Sequence, residues 1–428
     1  MNTRTFGRRG LLRIGGGLAA AAALPSALAA CGNGSGSGSG GGLRVVGVAD
    51  EKAPLAALIA AYRKQHKVDF SQTYAPTDQV QTQVRTQLGG GNAPDVHVLY
   101  PGNGSAMSMV QIAKAGLLAD LSSQDWTKQI PKALDSAYRY EGKTYVYSAG
   151  STVIGAIYNK KAFRKAGVEP PKTWAELLAV CARLKAKGIA PIALGAQTPW
   201  VTQLITYALV PSTVYAKDPA FDDKMASGQA TFADSGWADA MKMYLELLDK
   251  GYFNDNPNGT TFEQQISMVA TGKAAMAVQV SAVLSSFRQA TKTPDDLGMF
   301  PFPGGDNPTE QWLPAGVVVG LGVSARSKNA QAAKDFVEWL GRQENINKWS
   351  EAVVAVPVHR DASTKIDPLL ESFLPVIDAN RAVPFMDQRW PNAEVQPAHF
   401  AAVQDLLAKK KDVKGALGMM DEAYQKKS

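Results

Sequence analysis

The sequence predicts an α/β fold, and three observations carry that expectation. From Leu43 onward, short β-rich runs alternate with amphipathic helical segments, as in α/β proteins and unlike sandwiches or bundles. Of the 428 residues, 45% are hydrophobic and 19% charged, too apolar for a disordered chain and too polar for a multispan membrane protein. At about 150 residues per domain the chain is long enough for two or three domains with sizeable cores. Its two cysteines, Cys31 and Cys181, supply neither a disulfide framework nor a multi-thiolate metal site. No internal repeat is present.

Taken in order, the chain opens with an export signal. The basic stretch Arg4 to Arg13 contains Arg8-Arg9, followed by an apolar run from Ile14 to Leu24 that three glycines interrupt and that is too short to span a bilayer. The paired arginines resemble the twin-arginine signal. Leu28-Ala29-Ala30-Cys31 resembles a bacterial lipobox, which implies acylation of Cys31 and anchoring in membrane lipid at the outer face of the cytoplasmic membrane. Residues 32–42 are glycine, serine and one asparagine, a flexible tether with a root-mean-square reach of about 20 Å.

The body begins with the strand Leu43 to Val48. A helix follows with Leu55, Leu58, Ile59 and Tyr62 on one face, then a second with Val80, Val84 and Leu88 before the turn at Gly89 to Asn92. Asp95 to Tyr100 reads as another strand. Thr173-Trp174-Ala175-Glu176 has the capping-box pattern; Trp174, Leu177, Leu178, Cys181 and Leu184 share a face, and Gly188 is the stop. Trp237, Met241, Tyr244, Leu245 and Leu248 mark a helix ending at Gly251, and Phe336, Val337 and Leu340 one ending at Gly341.

The body also carries an ordered series of short motifs. They are Gly91-Asn92-Ala93-Pro94-Asp95-Val96, Gly116 to Leu121, Tyr140 to Tyr145, Ile157-Tyr158-Asn159-Lys160, Pro170 to Trp174, Gly272-Lys273-Ala274-Ala275-Met276, and Ala333 through Leu340. In this order they resemble the carbohydrate-type extracellular solute-binding proteins of ATP-driven (ABC) importers, family 1, which includes maltose-binding protein. The resemblance covers Leu43 to Tyr424. It implies a two-lobed, periplasmic-binding-protein-like fold of type II, with a ligand cleft between lobes joined by three hinge crossings. Carried over by motif, the crossings fall near Thr152 to Gly155, near Ala315 to Val317, and around Gln343 to Ser350. The implied organisation is a signal peptide at 1–30, lipidated cysteine and tether at 31–42, an N-terminal lobe at 43–152 plus 316–345, and a C-terminal lobe at 153–315 plus 346–428.

A sugar has polar edges and apolar ring faces, so its site needs aromatic plates beside fixed amides and carboxylates. Trp200 follows a strand-like segment and a turn, and it matches the position of an aromatic stacking residue in the maltose-type proteins; the alternative is packing against the next helix. Trp312 and Trp390 stand in proline-containing loops and are further candidate plates, whereas Trp174, Trp237 and Trp339 lie on helical stripes and read as core. Asp50, Glu51 and Lys52 directly follow the first strand, at the rim where open α/β sheets bind ligands; a solvated loop and helix cap is the alternative. Tyr100 and Asn103 match an aromatic and a hydrogen-bonding position of the family, and Gly102 and Gly104 would let backbone approach a ligand. Phe385 and Asp387 offer an aromatic and a carboxylate. Asp78 is either a ligand contact or, like Thr77, a helix cap. After Gly272 to Met276 the maltose-type proteins carry a tryptophan, but here Val280-Ser281-Ala282-Val283 is small and aliphatic. Maltose is therefore not assumed, and raffinose-type or other short oligosaccharides fit at least as well.

Other chemistries find little support. Of the net charge of +7, four arginines in the first thirty residues account for four, leaving no concentrated basic face for nucleic acid. His66, His97, His359 and His399 are scattered, and there is no HExxH, paired CxxC, Gly-x-Ser-x-Gly or Walker loop. No catalytic residue, metal or cofactor is expected, Cys181 reads as a core thiol, and nucleotide hydrolysis belongs to a partner. The implied partners are an oligosaccharide or other small sugar, the membrane permease and lipid, with the protein itself a monomer. The rival class is an anchored glycoside-cleaving enzyme using two of Asp50, Glu51 and Asp387, which would need carboxylates about 5 to 9.5 Å apart. A third reading keeps the fold and changes the cargo to a sugar phosphate or peptide.

Overall fold

A computed structural model describes residues 42–131, 134–317 and 319–426. The leader, Cys31 and nearly all of the tether lie outside these residues. What is described is a two-lobed α/β protein with one main sheet and one hydrophobic core per lobe, and a small two-stranded ribbon of Arg139–Tyr140 with Lys143–Thr144.

The first lobe is built on a four-stranded sheet in the order Gly320–Val323, Val96–Leu99, Leu43–Val48, Phe70–Ala75. Leu43–Val48 pairs in parallel with both Phe70–Ala75 and Val96–Leu99, while Gly320–Val323 runs antiparallel to Val96–Leu99. A central strand covered on both faces must be apolar nearly throughout, and Leu-Arg-Val-Val-Gly-Val exposes only Arg44. The helix Lys52–His66 lays Leu55, Leu58, Ile59 and Tyr62 on the core, and Thr77–Gly89 does so with Val80, Val84 and Leu88. All three parallel strands end at the same edge of the sheet, so the loops at residues 49–51, 76–78 and 100–108 gather there.

The second lobe has a longer sheet in the order Ala382–Val383, Leu313–Gly316, Gly150–Asn159, Ala274–Val280, Ala190–Ile192. Its centre is the ten-residue strand Gly150–Asn159, which also pairs with Leu297–Phe300 and Val356–Pro357. Helix boundaries follow local chemistry. Thr173 caps Trp174–Ala186 by accepting from the Glu176 N–H at 3.1 Å, but the Glu176 carboxylate takes the Lys172 N–H at 2.7 Å, so the box is only half closed. Gly188 and Gly251, at φ of 70° and 65°, take the left-handed conformation just past their helices.

The chain passes between the cores in three places. Ala149 belongs to the first core and Val153 to the second; Leu313 belongs to the second and Val317 to the first. The third passage departs from the expected position. Residues 343–352 form the helix Gln343–Ala352, whose Ile346 and Trp349 pack into the first core. The change comes just afterwards: Val353 and Ala355 face the first core, Val354 and Val356 the second. The strand start at Gly150 to Val153 holds the other two crossings beside it, with Ser151 opposite Val356 and Thr152 opposite Gly316.

Candidate functional site

Where the three parallel strands of the first lobe end, their loops face the second lobe across a cavity of about 150 Å3. The first lobe contributes Asp50 and Glu51 from the turn after its central strand, Thr77, Asp78 and Gln81 from the start of the next helix, and Tyr100, Pro101 and Ser105 from the third loop. Opposite them, the turn Pro199–Val201 and the helix Gln203–Val210 present Trp200, Gln203, Leu204 and Tyr207. Phe385, Asp387 and Gln388 come from the segment after Ala382–Val383, Gln396 and Phe400 from the helix Val395–Leu407, and Val280, Ala282 and Val283 from the end of Ala274–Val280.

Several bonds already join the walls. The Ser286 hydroxyl donates to Asp50 Oδ1 at 2.6 Å, and the Gly104 N–H donates to the Asp387 carbonyl at 2.9 Å. Asn103 Nδ2 donates to the Pro391 carbonyl at 2.6 Å, and the Gln388 side-chain amide donates to the Val317 carbonyl. At Gly102 and Gly104 a Cβ would collide with the Gln388 and Asp387 carbonyl oxygens. These glycines were expected to admit a ligand; what they admit is the backbone of the other lobe.

Seven of the eleven sequence-derived candidates line the cavity: Asp50, Glu51, Asp78, Tyr100, Trp200, Phe385 and Asp387. Asp78 faces it from the first turn of a helix that follows Pro76 and takes no side-chain cap. Four candidates lie elsewhere. Lys52 is exposed at the start of its helix. Asn103 spends Nδ2 on Pro391 and Oδ1 on Gln111. Trp312 is held by a 3.0 Å bond from its backbone N–H to the Ser212 hydroxyl and packs on the second core. Trp390 is only 3% exposed, within about 6 Å of the rings of Tyr207, Trp237 and His399, so its proline-flanked loop is folded inward. Gln81, Gln203, Tyr207, Gln388, Gln396 and Phe400 were not anticipated. The available signals were slight: Gln203 and Tyr207 share a helix face one turn apart just after Trp200, and Gln388 adjoins Asp387.

The site works against negative charge. Burial pushes the Glu51 carboxyl up to about 8, with the neighbouring Asp50 adding repulsion. Asp50 is raised by burial, which the Ser286 hydrogen bond partly offsets, and Glu263 raises it further. Burial raises Asp387 to about 6, an effect that the nearby Tyr207 phenol moderates. Burial also raises Asp78. The phenols of Tyr100 and Tyr207 are pushed up by burial and stay protonated, and neither hydroxyl has a partner among the described residues. Trp200 rests edge-on against Phe262 at 4.9 Å, which braces the ring.

Two α/β lobes, three adjacent crossings and a walled cavity between the lobes define a clamp-like solute-binding protein. Residues 48–346 match the family model described as bacterial extracellular solute-binding protein, and the chain belongs to that family. It is 24% identical over 325 residues to the multiple sugar-binding protein of Streptococcus mutans serotype c, covering 74% of this chain and 76% of that one. A chitin oligosaccharide binding protein superposes with a TM-score of 0.76 at 21% identity, covering 90% of this chain and 98% of that one. The GacH receptor of Streptomyces glaucescens, solved unliganded and with acarbose, gives 0.75 at 23% identity over the same shares. No helix among the described residues is long and apolar enough to cross a membrane.

Proposed function

We infer that the protein is the substrate-binding component of an ABC sugar importer, which captures an extracellular oligosaccharide between its lobes and delivers it unaltered to a membrane permease. One observation carries this reading: aromatic rings from both lobes (Tyr100, Trp200, Phe385) converge with carboxylates and side-chain amides on one cavity. Rings supply the apolar faces that stack on pyranose carbons, while Gln81, Gln203, Gln388 and Gln396 both donate and accept at the hydroxyl edge. Cavities for drug-sized ligands measure about 300 to 1,000 Å3. A space of about 150 Å3 therefore suits one ring-sized unit, and the rest of a longer chain extends outward or holds the lobes further apart. Open and closed forms exchange, and a ligand that touches both lobes favours the closed one by its differential affinity. The leader and Cys31 fit export, twin-arginine or general, and lipid anchoring outside the cytoplasmic membrane, which keeps a monomeric clamp beside its permease.

A thermal-shift and calorimetric screen over mono- and oligosaccharides tests the reading, since a bound ligand raises apparent stability according to its concentration and dissociation constant. Replacing Trp200 with alanine should weaken binding of the best ligand by about 1 to 3 kcal/mol with the fold intact. Unchanged affinity would remove Trp200 from the site. Chromatography of the sugar after prolonged incubation separates capture from cleavage: recovery of intact saccharide is expected, and turnover would favour the enzyme reading.

A further inference from the structure

Among the described residues four carboxylates, Asp50, Glu51, Asp78 and Asp387, line the cavity, and no lysine, arginine or histidine does. Cations close to it in sequence are engaged or turned away: Arg389 is paired with Asp222 over the Tyr215 ring, and Lys52 is exposed to solvent. Among the described residues Glu51, 8% exposed, has neither an ion pair nor a hydrogen bond to its side chain, and Asp50 is bonded only to the neutral Ser286 hydroxyl. Tyr207, 1% exposed on the second lobe's wall beside Asp387, has a hydroxyl without a hydrogen-bond partner among the described residues. An ionised carboxylate withdrawn from water is costly unless a cation or several donors meet it, and like charges at one site add to that cost. Neutral hydroxyls supply donors but no countercharge. Anionic cargo such as a sugar phosphate would deepen the repulsion.

We propose that the saccharide unit seated in this cavity carries a protonated amine, placed among Asp50, Glu51 and Asp387, so that the preferred ligand is an amino sugar or an oligosaccharide ending in one. This rests on the saccharide reading above and narrows it. An ammonium group brings three donors and one positive charge to a site whose only ionisable acids and bases of ordinary acidity, among the described residues, are carboxylates, and it gives buried Glu51 a partner in its ionised form.

The test compares β-1,4-linked glucosamine di- and trisaccharides, with free amines, against their N-acetylated and unsubstituted glucose counterparts. Calorimetry on the intact protein at about pH 6.5 keeps both the fold and the amine charge in place. The amine-bearing series should bind at least about tenfold more tightly than its neutral counterparts, a preference that shrinks when salt is raised from about 20 mM to about 500 mM. In a Glu51→Gln, Asp387→Asn protein the preference should collapse toward unity. Neutral oligosaccharides bound as tightly as the amines, or a preference unmoved by both salt and the double substitution, would overturn the amine assignment and leave the sugar-binding reading standing. Failure of every member of all three series to bind at millimolar concentration would overturn both. The salt series on the unmodified protein keeps the proposal falsifiable if the double variant does not fold.

Discussion

Between about pH 4.5 and pH 8, the Glu51 carboxyl keeps its proton in the folded protein while an unfolded chain would have released it. The native state then binds more protons than the unfolded one, so this group makes stability fall as pH rises through that window, by at most about 1.4 kcal/mol per pH unit. Asp387 acts in the same sense between its ordinary 3.8 and about 6. Glu51→Gln should therefore flatten the decline, and urea melts from pH 5 to pH 8 would show the variant gaining on the parent as pH increases. Parallel curves would mean that Glu51 is solvated after all. Asp50 and Glu51 were legible as residues lining the cavity because they directly follow the first strand, at the rim of an open sheet. Tyr207 was not, because Gln203–Val210 is buried almost all round and no polar face separates its cavity side from its core side. Trp390 misled for the opposite reason: prolines beside a tryptophan suggest a surface loop, yet the ring is the partner of Trp237 and His399 in the second core.

At the level of elements, a small cap supports the aromatic wall. Thr261 and Gln264 form a reciprocal capping box at the start of Phe262–Ala270: the Thr261 side chain accepts the Gln264 N–H at 3.2 Å, and Gln264 Oε1 accepts the Thr261 N–H at 2.8 Å. The first helical residue, Phe262, is the ring against which Trp200 leans, and Gln265 one turn on bonds the Ala193 carbonyl at 2.8 Å. Thr261→Ala should cost about 1 kcal/mol of stability, as helix caps commonly do, and loosen the Trp200 brace. Denaturant titration measures the first effect and tryptophan fluorescence anisotropy the second; no change in either would mean that tertiary packing alone fixes this helix start. Helices announced by a capping residue and a terminal glycine could be read in advance, as Trp174–Ala186 shows. The third crossing could not, because a change of core spread over Val353 to Val356 is shorter than any periodic pattern, and Val354 takes a φ of 50° that nothing in its identity signals.

Across the whole molecule, closure depends on how near the loop at 102–104 can come to residues 387–388. Gly104→Ala places a methyl group against the Asp387 carbonyl and disturbs the bond between them. The variant should fold normally but stand more open, with a larger radius of gyration in X-ray scattering, less compaction on adding ligand, and weaker affinity. An identical scattering profile in both states would show that the two lobes meet by another route. The two-lobed plan was accessible through the ordered motifs of a family, whereas the contact between lobes was not, since it brings together residues nearly three hundred positions apart and depends on two absent side chains. The three connecting segments, finally, lie side by side, Ala315 to Gly316 and Val356 to Pro357 each pairing with Gly150 to Val153. Links that were scattered would let the halves wobble, slide or swivel; bundled into one strip they work like the spine of a book, so thermal agitation is channelled almost wholly into widening or narrowing the mouth, and a cargo arriving there meets a machine with a single stroke.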